Sequence, residues 1–434
     1  MSPPPPFLLP SSRPLMGRRA LLGGMGALAI AGCSREGATG ARAEPLRVPA
    51  PGWRGLLYFK QERPGPRRDL WIQSLDGLRH TALTDSGRLA GWNRPQVEGP
   101  LNGACISPDG TCVAYAERHP AASDGASVSP SQSWNVLLVV KADGTGRRIL
   151  VDLRDLPSLP KGTRASSFIW SSDGKHLAYA LELPNPDCEL LKLYKVEVES
   201  GRVTEVPLGP IQGKPQLWVW SSSRNECVFT LQCGATGAQR LGVLDVSTGR
   251  VRTHPAEGPA VSPDGGHAFV TTSTPQGRKA SLHTLDDAFT PEASLGAFTG
   301  RFNWYNQRPG GLFTEVTPEP PTTECAGVTP PPQRLYRWDP HARTHSRVRQ
   351  DATPFTVLAF SPDDTQALVN ILVGRDDSQP GFCGEGWLQR LHVVQRDDLE
   401  SDLPMEQLLA RSTPLAPSTP WPGPSSSSYI GWLR

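Results

Sequence analysis

The sequence lacks an excess of charge of either sign. Its 44 Lys and Arg stand against 42 Asp and Glu, interspersed along 434 residues, for a formal net charge of +2. A nucleic-acid binder would show a basic stripe, so no nucleic-acid partner is expected. Long helical patterns are missing too. So are the local signatures of common enzymes: there is no Gly-x-Ser-x-Gly elbow, no His-Glu-x-x-His and no Gly-rich phosphate loop. Cysteine is sparse, with eight residues and no Cys-x-x-Cys or Cys/His cluster, so neither a metal nor another cofactor is expected. His341 and His345 are four apart, but they fall in a turn or strand rather than on a helix, where that spacing would bring them together. The hydrophobic content of 37% is enough for a core. The 45 prolines and 43 glycines are dispersed, which excludes collagen and suits short strands joined by turns.

The N-terminus reads as an address. Arg18 and Arg19 open an apolar run that ends at Ile30-Ala31-Gly32-Cys33. A positive start, an apolar stretch and small residues before the break make a secretory signal. The run is shorter than the ~20 apolar residues of a membrane span. Ile-Ala-Gly-Cys resembles the bacterial lipobox, which implies that Cys33 is acylated, becomes the mature N-terminus and anchors the chain in a membrane. Arg18-Arg19 followed by Ala20-Leu21-Leu22 resembles a twin-arginine export signal, with Gly17 and Leu21 where Ser or Thr and Phe are usual. A start at Met16 would leave a signal of ordinary length. Ser34 is not the Asp that retains many lipoproteins at the inner membrane, which favours the outer one. The expected division is a signal over 1–32, a lipidated tether over 33–50 and one folded domain over 51–434.

Within that domain one pattern recurs. ACISPDGTCVAYAE at Ala104 returns as WSSDGKHLAYALE at Trp170, AVSPDGGHAFVTT at Ala260 and AFSPDDTQALVNI at Ala359. Pro sets φ at the first corner, Asp bonds back to the backbone and Gly accepts positive φ, so each copy is a hairpin of strands a and b. Six such hairpins are expected, at 106/113–116, 168–170/177–181, 217–220/227–231, 260–261/268–272, 302–304/312–316 and 356–360/367–372. Strands c follow at 135–141, 192–198, 240–246, 281–285, 334–338 and 390–394. The spacing of roughly 40 to 65 residues is that of propeller blades. A first unit, 55–60 with 69–73 and 81–84, has no strand a. Residues 429–434, YIGWLR, resemble FIWS at Phe168 and would supply it. The expected fold is therefore all-β: a seven-bladed β-propeller closed by its C-terminal strand. Six blades are the alternative, if the unit around 301–316 is irregular.

The Ser-Pro-Asp-Gly turn with its apolar strand b and Leu-Tyr or Leu-Trp strand c resembles the WD40-like Pro-Asp repeat propellers, the TolB-like family. The resemblance covers roughly residues 53–434. It implies the fold; for function it leaves open a binding or scaffold module for a protein, peptide or glycan, a propeller lyase or hydrolase, and a TolB-like part of an envelope complex.

In such blades the b–c and d–a loops share one end of the ring, and the short a–b and c–d turns share the other. The b–c loops 118–134, 317–333 and 374–389 are long, so the b–c/d–a end is the expected ligand face. Candidate contacts are Arg375, Asp376, Asp377, Phe382 and Trp387 in one loop, with His119 and Trp134 at the ends of another. Export permits disulfides. Cys188–Cys233 and Cys325–Cys383 are proposed, each joining successive blades, while Cys105, Cys112 and Cys227 lie in strands and read as buried thiols. Trp170, Trp220 and Trp304 recur at one strand-a position and read as packing between blades. Replacing Cys33 by Ser should abolish fatty-acid labelling and release the protein from membranes; a mutant that is still labelled ends the lipoprotein reading.

Overall fold

The computed structural model describes residues 55–61, 68–76, 79–89, 103–119, 134–156, 159–160, 163–185, 188–233, 239–274, 277–296, 302–316, 333–351, 355–375, 387–415 and 429–433. They form seven four-stranded antiparallel sheets, the blades of a β-propeller. Blade 1 takes its strand a from the far end of the chain, in the order Tyr429–Leu433, Gly55–Gln61, Arg68–Ser74, His80–Ala82. The seam is a true ladder: Gly55 faces Leu433, Leu56 faces Trp432 and Leu57 faces Gly431. Blades 2 to 7 follow in chain order, each running a-b-c-d. The unit at Phe302–Trp304 is a regular blade, which gives seven blades rather than six.

Each blade is buried on both faces, so successive side chains of a strand enter different cores. In strand b of blade 2 (Cys112–Glu117), Val113 and Tyr115 pack against blade 1, while Ala114 and Ala116 pack against blade 3. In strand b of blade 3 (His176–Leu183), Leu177, Tyr179 and Leu181 face blade 2, and Ala178 and Ala180 face blade 4. The recurring Ala-Tyr-Ala is thus one large side chain toward the preceding blade between two small ones toward the next. Such two-sided burial produces continuous apolar runs instead of a polar alternation.

The a–b turn is a small hydrogen-bonded clamp. Ser107 Oγ donates to Asp109 Oδ1 (2.5 Å) and accepts from the Cys112 amide (2.9 Å). The same pair of bonds recurs at Ser171, Ser262 and Ser361. Burial alone would raise the Asp109 pKa, but bonds from Ser107 and Thr111 outweigh it and hold the carboxyl below its usual range. Gly110 sits at φ 75°, the left-handed conformation the turn requires. In blade 7 that place is taken by Asp364 at φ 56°. Its buried carboxylate accepts the amides of Asn306, Gln307 and Arg308 from the longer turn of blade 6, at 2.6, 2.7 and 3.2 Å.

Inner strands are stitched across blades as well. Trp170 Nε1 donates to the Cys105 carbonyl (3.2 Å) and Trp304 Nε1 to the Ala260 carbonyl (2.9 Å). Trp220 is buried beside blade 3, where a parallel bridge joins it to Ser171, but its indole N–H has no partner among the described residues. Cys227 is fully buried; Cys105 and Cys112 keep some exposed surface but pack against the core between blades 2 and 3, and burial raises all three thiols above their usual pKa. The sequence reading expects short c–d turns, and blade 7 departs from it. Two helices, α1 (Arg396–Leu399) and α2 (Met405–Arg411), join its strands c and d. Leu399 and Leu408 drop into the core between blades 6 and 7, and the buried Arg349 donates to the Leu403 carbonyl (3.0 Å). Too few apolar positions mark these helices for a periodicity to show.

Removing 429–434 should leave blade 1 with an open inner edge and lower the melting temperature of the entire domain in one transition. Trp432→Ala should cost about 3–5 kcal/mol, since Trp432 is 5% exposed; an unchanged melt for the deletion would show that the ring does not depend on this strand.

Candidate functional site

The described residues at the b–c/d–a end converge best at blades 3 and 4. Strand a of blade 3 (Arg164–Trp170) and strand a of blade 4 (Lys214–Ser221) start there with a cation each. Opposite Arg164, near the end of strand b, stands Glu182. Glu189 precedes strand c of the same blade and pairs with Lys214 (Oε1 to Nζ, 3.8 Å). Arg164 is exposed and makes no ion pair among the described residues. Burial raises the Glu182 pKa; Glu189 pushes in the same direction, and Lys214 and Arg164 oppose it. The result is a buried acid that resists ionising, ringed by two cations and a second carboxylate.

This corner is rigid for identifiable reasons. Leu217 N donates to Ser167 Oγ (3.1 Å), and Ser167 Oγ in turn reaches the Pro215 carbonyl. Leu191 N and Gly213 N bond to Ile211 O and Glu189 O across the two blades, each at 2.8 Å. Cys188 and Cys233 are joined by a disulfide with Cα atoms 5.7 Å apart at a sequence separation of 45. A closed loop of that size is worth about 4 kcal/mol on the chain-entropy estimate.

The candidate contacts named from the sequence are distributed otherwise. Arg18, Arg19, Cys33, Cys325, Asp376, Asp377, Phe382 and Cys383 lie outside the described residues. Arg375 and Trp387 are paired at the open end of blade 7, where only their backbone is described. Trp134 is 3% exposed and stacks edge-on against Phe168 and Tyr179, so it serves the core between blades 2 and 3 rather than a ligand. His119 is half-buried at the root of its loop. Its Nε2 lies 2.8 Å from Glu117, which also accepts from Ser86 Oγ (2.7 Å) and Arg147 Nη2 (2.8 Å). Arg88 Nη1 lies 3.4 Å from the other ring nitrogen, Nδ1. This cluster binds blade 1 to blade 2. His341 and His345 are exposed, and among the described residues no three metal-ligating side chains converge.

The sequence reading passed over Glu182, Glu189, Arg164 and Lys214. A signal for the first was present: an acid closes strand b in both AYAE and AYALE, at Glu117 and Glu182. The opposite end of the ring is less plain than expected. There Glu400, after α1, gathers Tyr305 Oη (2.8 Å) and Arg308 Nη2 (2.6 Å), with Arg337 and Arg396 at 3.5 and 3.6 Å.

No family model matches the chain, and no curated protein is similar to it. Solved structures do resemble it. An oligogalacturonate lyase in complex with manganese aligns at 14% identity over 79% of this chain and 90% of that one, with a TM-score of 0.48. The oligogalacturonate lyase of Vibrio parahaemolyticus aligns at 14% over 73% and 87%, with a TM-score of 0.46. TolB from Acinetobacter baumannii aligns at 13% over 68% of this chain and 62% of that one, less than two thirds of its length, with a TM-score of 0.39. At such identities the likeness bears on fold alone, and the fold stands on the strand pairing described above.

Glu182→Gln should stabilise the protein at neutral pH. A raised carboxyl pKa means that the folded state holds its proton above the ordinary range, so stability is lost as pH rises from that range through the folded pKa. The gain in melting temperature over wild type should therefore be largest near pH 7 and vanish near pH 4. A gain independent of pH would place its origin elsewhere.

Proposed function

We propose that the chain is an exported, lipid-anchored propeller of a bacterial cell envelope that binds a protein, peptide or glycan at its b–c/d–a end. The outer membrane is the favoured location, from Ser34, with export by the twin-arginine route through Arg18 and Arg19. The observation that carries the binding role is the corner at blades 3 and 4. Arg164 and Lys214 stand half or fully exposed beside Glu189 on inner strands fixed by cross-blade bonds and a disulfide. A backbone held still in this way sets the charged groups it carries at fixed starting points, which lowers the ordering cost of meeting a complementary polar ligand. The reading asks nothing of the chain beyond such fixed polar groups; a TolB-like role in an envelope complex would use the same surface.

Cross-linking in intact envelopes tests it. Wild-type protein should give a discrete adduct. Arg164→Glu with Lys214→Glu should remove that adduct, while a reversal at the other end of the ring, Asp143→Lys, should keep it. An adduct equally strong in the Arg164/Lys214 variant would move the binding surface away from this corner.

A further inference from the structure

The outer wall of blade 6 carries an exposed basic run. Its c–d turn and strand d (Thr344–Asp351) are outermost in the sheet, and the seven residues 341–347 are all exposed. His341, Arg343, His345 and Arg347 lie along it. Arg343 and Arg347 form no ion pair among the described residues; Arg347 reaches only the neutral Gln350 Oε1 (3.1 Å). Arg337, with 51% of its side chain exposed, approaches Glu400 no closer than 3.5 Å. Asp339 is the one carboxylate within the run, and its Oδ1 is taken by the amides of His341 and Ala342. Arg337 sits opposite Ser346, on the other face of the sheet from Arg347, and its charge is met by Glu400, so Arg343 and Arg347 are the cations this wall presents without an ion pair among the described residues.

A neutral explanation is that charge on a sheet edge prevents strand pairing with other chains. The edge already has a second guard: the ladder shifts register between Leu335 and Tyr336, leaving Val348 without a partner and twisting the strand. Pairing is thereby disfavoured, and the guanidinium groups remain available for planar, doubly hydrogen-bonding anions such as phosphate.

We propose that this wall rests on the phosphate headgroups of an anionic bilayer, the membrane to which acylated Cys33 would hold the chain; the proposal rests on the anchoring reading above. Residues 34–54 reach at most roughly 70 Å at full extension, which keeps the blades in a layer where headgroups are concentrated. A tethered surface needs only a few cations to bind one it never leaves. Contact through this wall leaves the corner at blades 3 and 4 free for its ligand.

The test uses the mature chain from residue 34 onward, which has neither signal nor acyl group, and vesicles of phosphatidylcholine with or without phosphatidylglycerol. Sedimentation should occur with phosphatidylglycerol vesicles alone and fall as salt is added. Arg343→Glu with Arg347→Glu should weaken it at least about tenfold, with an unchanged melting curve because both side chains are exposed. Equal sedimentation of the variant, or binding to neutral vesicles, overturns the proposal. Capture by soluble polyglutamate without vesicle binding overturns it too and makes the wall a protein contact. Fatty-acid labelling of the unmutated chain reports on the anchor separately, so failure of one reading is distinguishable from failure of the other.

Discussion

The structure depends on the pairing of Leu56 and Leu57 with Trp432 and Gly431. Every other blade is made from contiguous chain, but none can stand alone, because each sheet shares its apolar side chains with two neighbours. The buried side chains fall into seven clusters, one at every junction between blades. The last of these joins Leu368, Leu391 and Val393 of blade 7 to Leu56 and Trp432 of blade 1. Without the seam, two of the seven blades would each turn an apolar face to water, and the cost would fall on the whole ring. Closure also gives blade 1 the innermost strand that each of the other six blades takes from its own stretch of chain.

Rigidity within this ring is local chemistry repeated. The Ser-x-Asp clamp sets the hairpin, indole N–H groups reach the carbonyls of the preceding blade, and charged clusters close the outer gaps. Glu117 gathers Ser86, His119 and Arg147 between blades 1 and 2, and Glu400 gathers Tyr305 and Arg308 between blades 6 and 7. Both acids are buried and fully engaged with hydrogen-bond donors, as buried charge must be. Glu182 differs. Lys214 and Arg164 only partly offset its burial and the nearby Glu189, which is why it belongs with the ligand corner and not with the structural clusters.

The hairpins, the count of blades and the closing strand are legible in the sequence because turn chemistry is local and recurs with the repeat. Pro, Asp and Gly in Ser107–Gly110 state their backbone angles directly. The serine is harder to read, since its role as both donor and acceptor appears only when the hairpin is closed. Asp364 is harder still: it looks like an imperfect glycine, yet its carboxylate holds the turn of blade 6, 56 residues or more upstream of it in the chain. The helices after Gln395 are too short to show a period, so a c–d connection that fills a core reads as a loop. Trp134 illustrates the reverse error. A tryptophan beside a long loop suggests a ligand contact, whereas its register against Phe168 sends it inward. The charged corner was missed for a similar reason: Arg164 and Lys214 both come to act on Glu182 only because d–a loops return their two strands to the same end, a consequence of topology and not of spacing.

The closing ladder also imposes an order in time. Blade 1 has its outer three strands at the start of the chain and its innermost strand at the end, so the first blade to be synthesised is the last to be completed. Its apolar inner edge must wait, bare or chaperoned, while six other blades are made. Contacts between such distant residues are slow to form and are reached only after the intervening loop entropy has been spent. The domain therefore has no folded half: until Leu433 is in place the end blades lack a neighbour that each of them needs, and afterwards there is a ring.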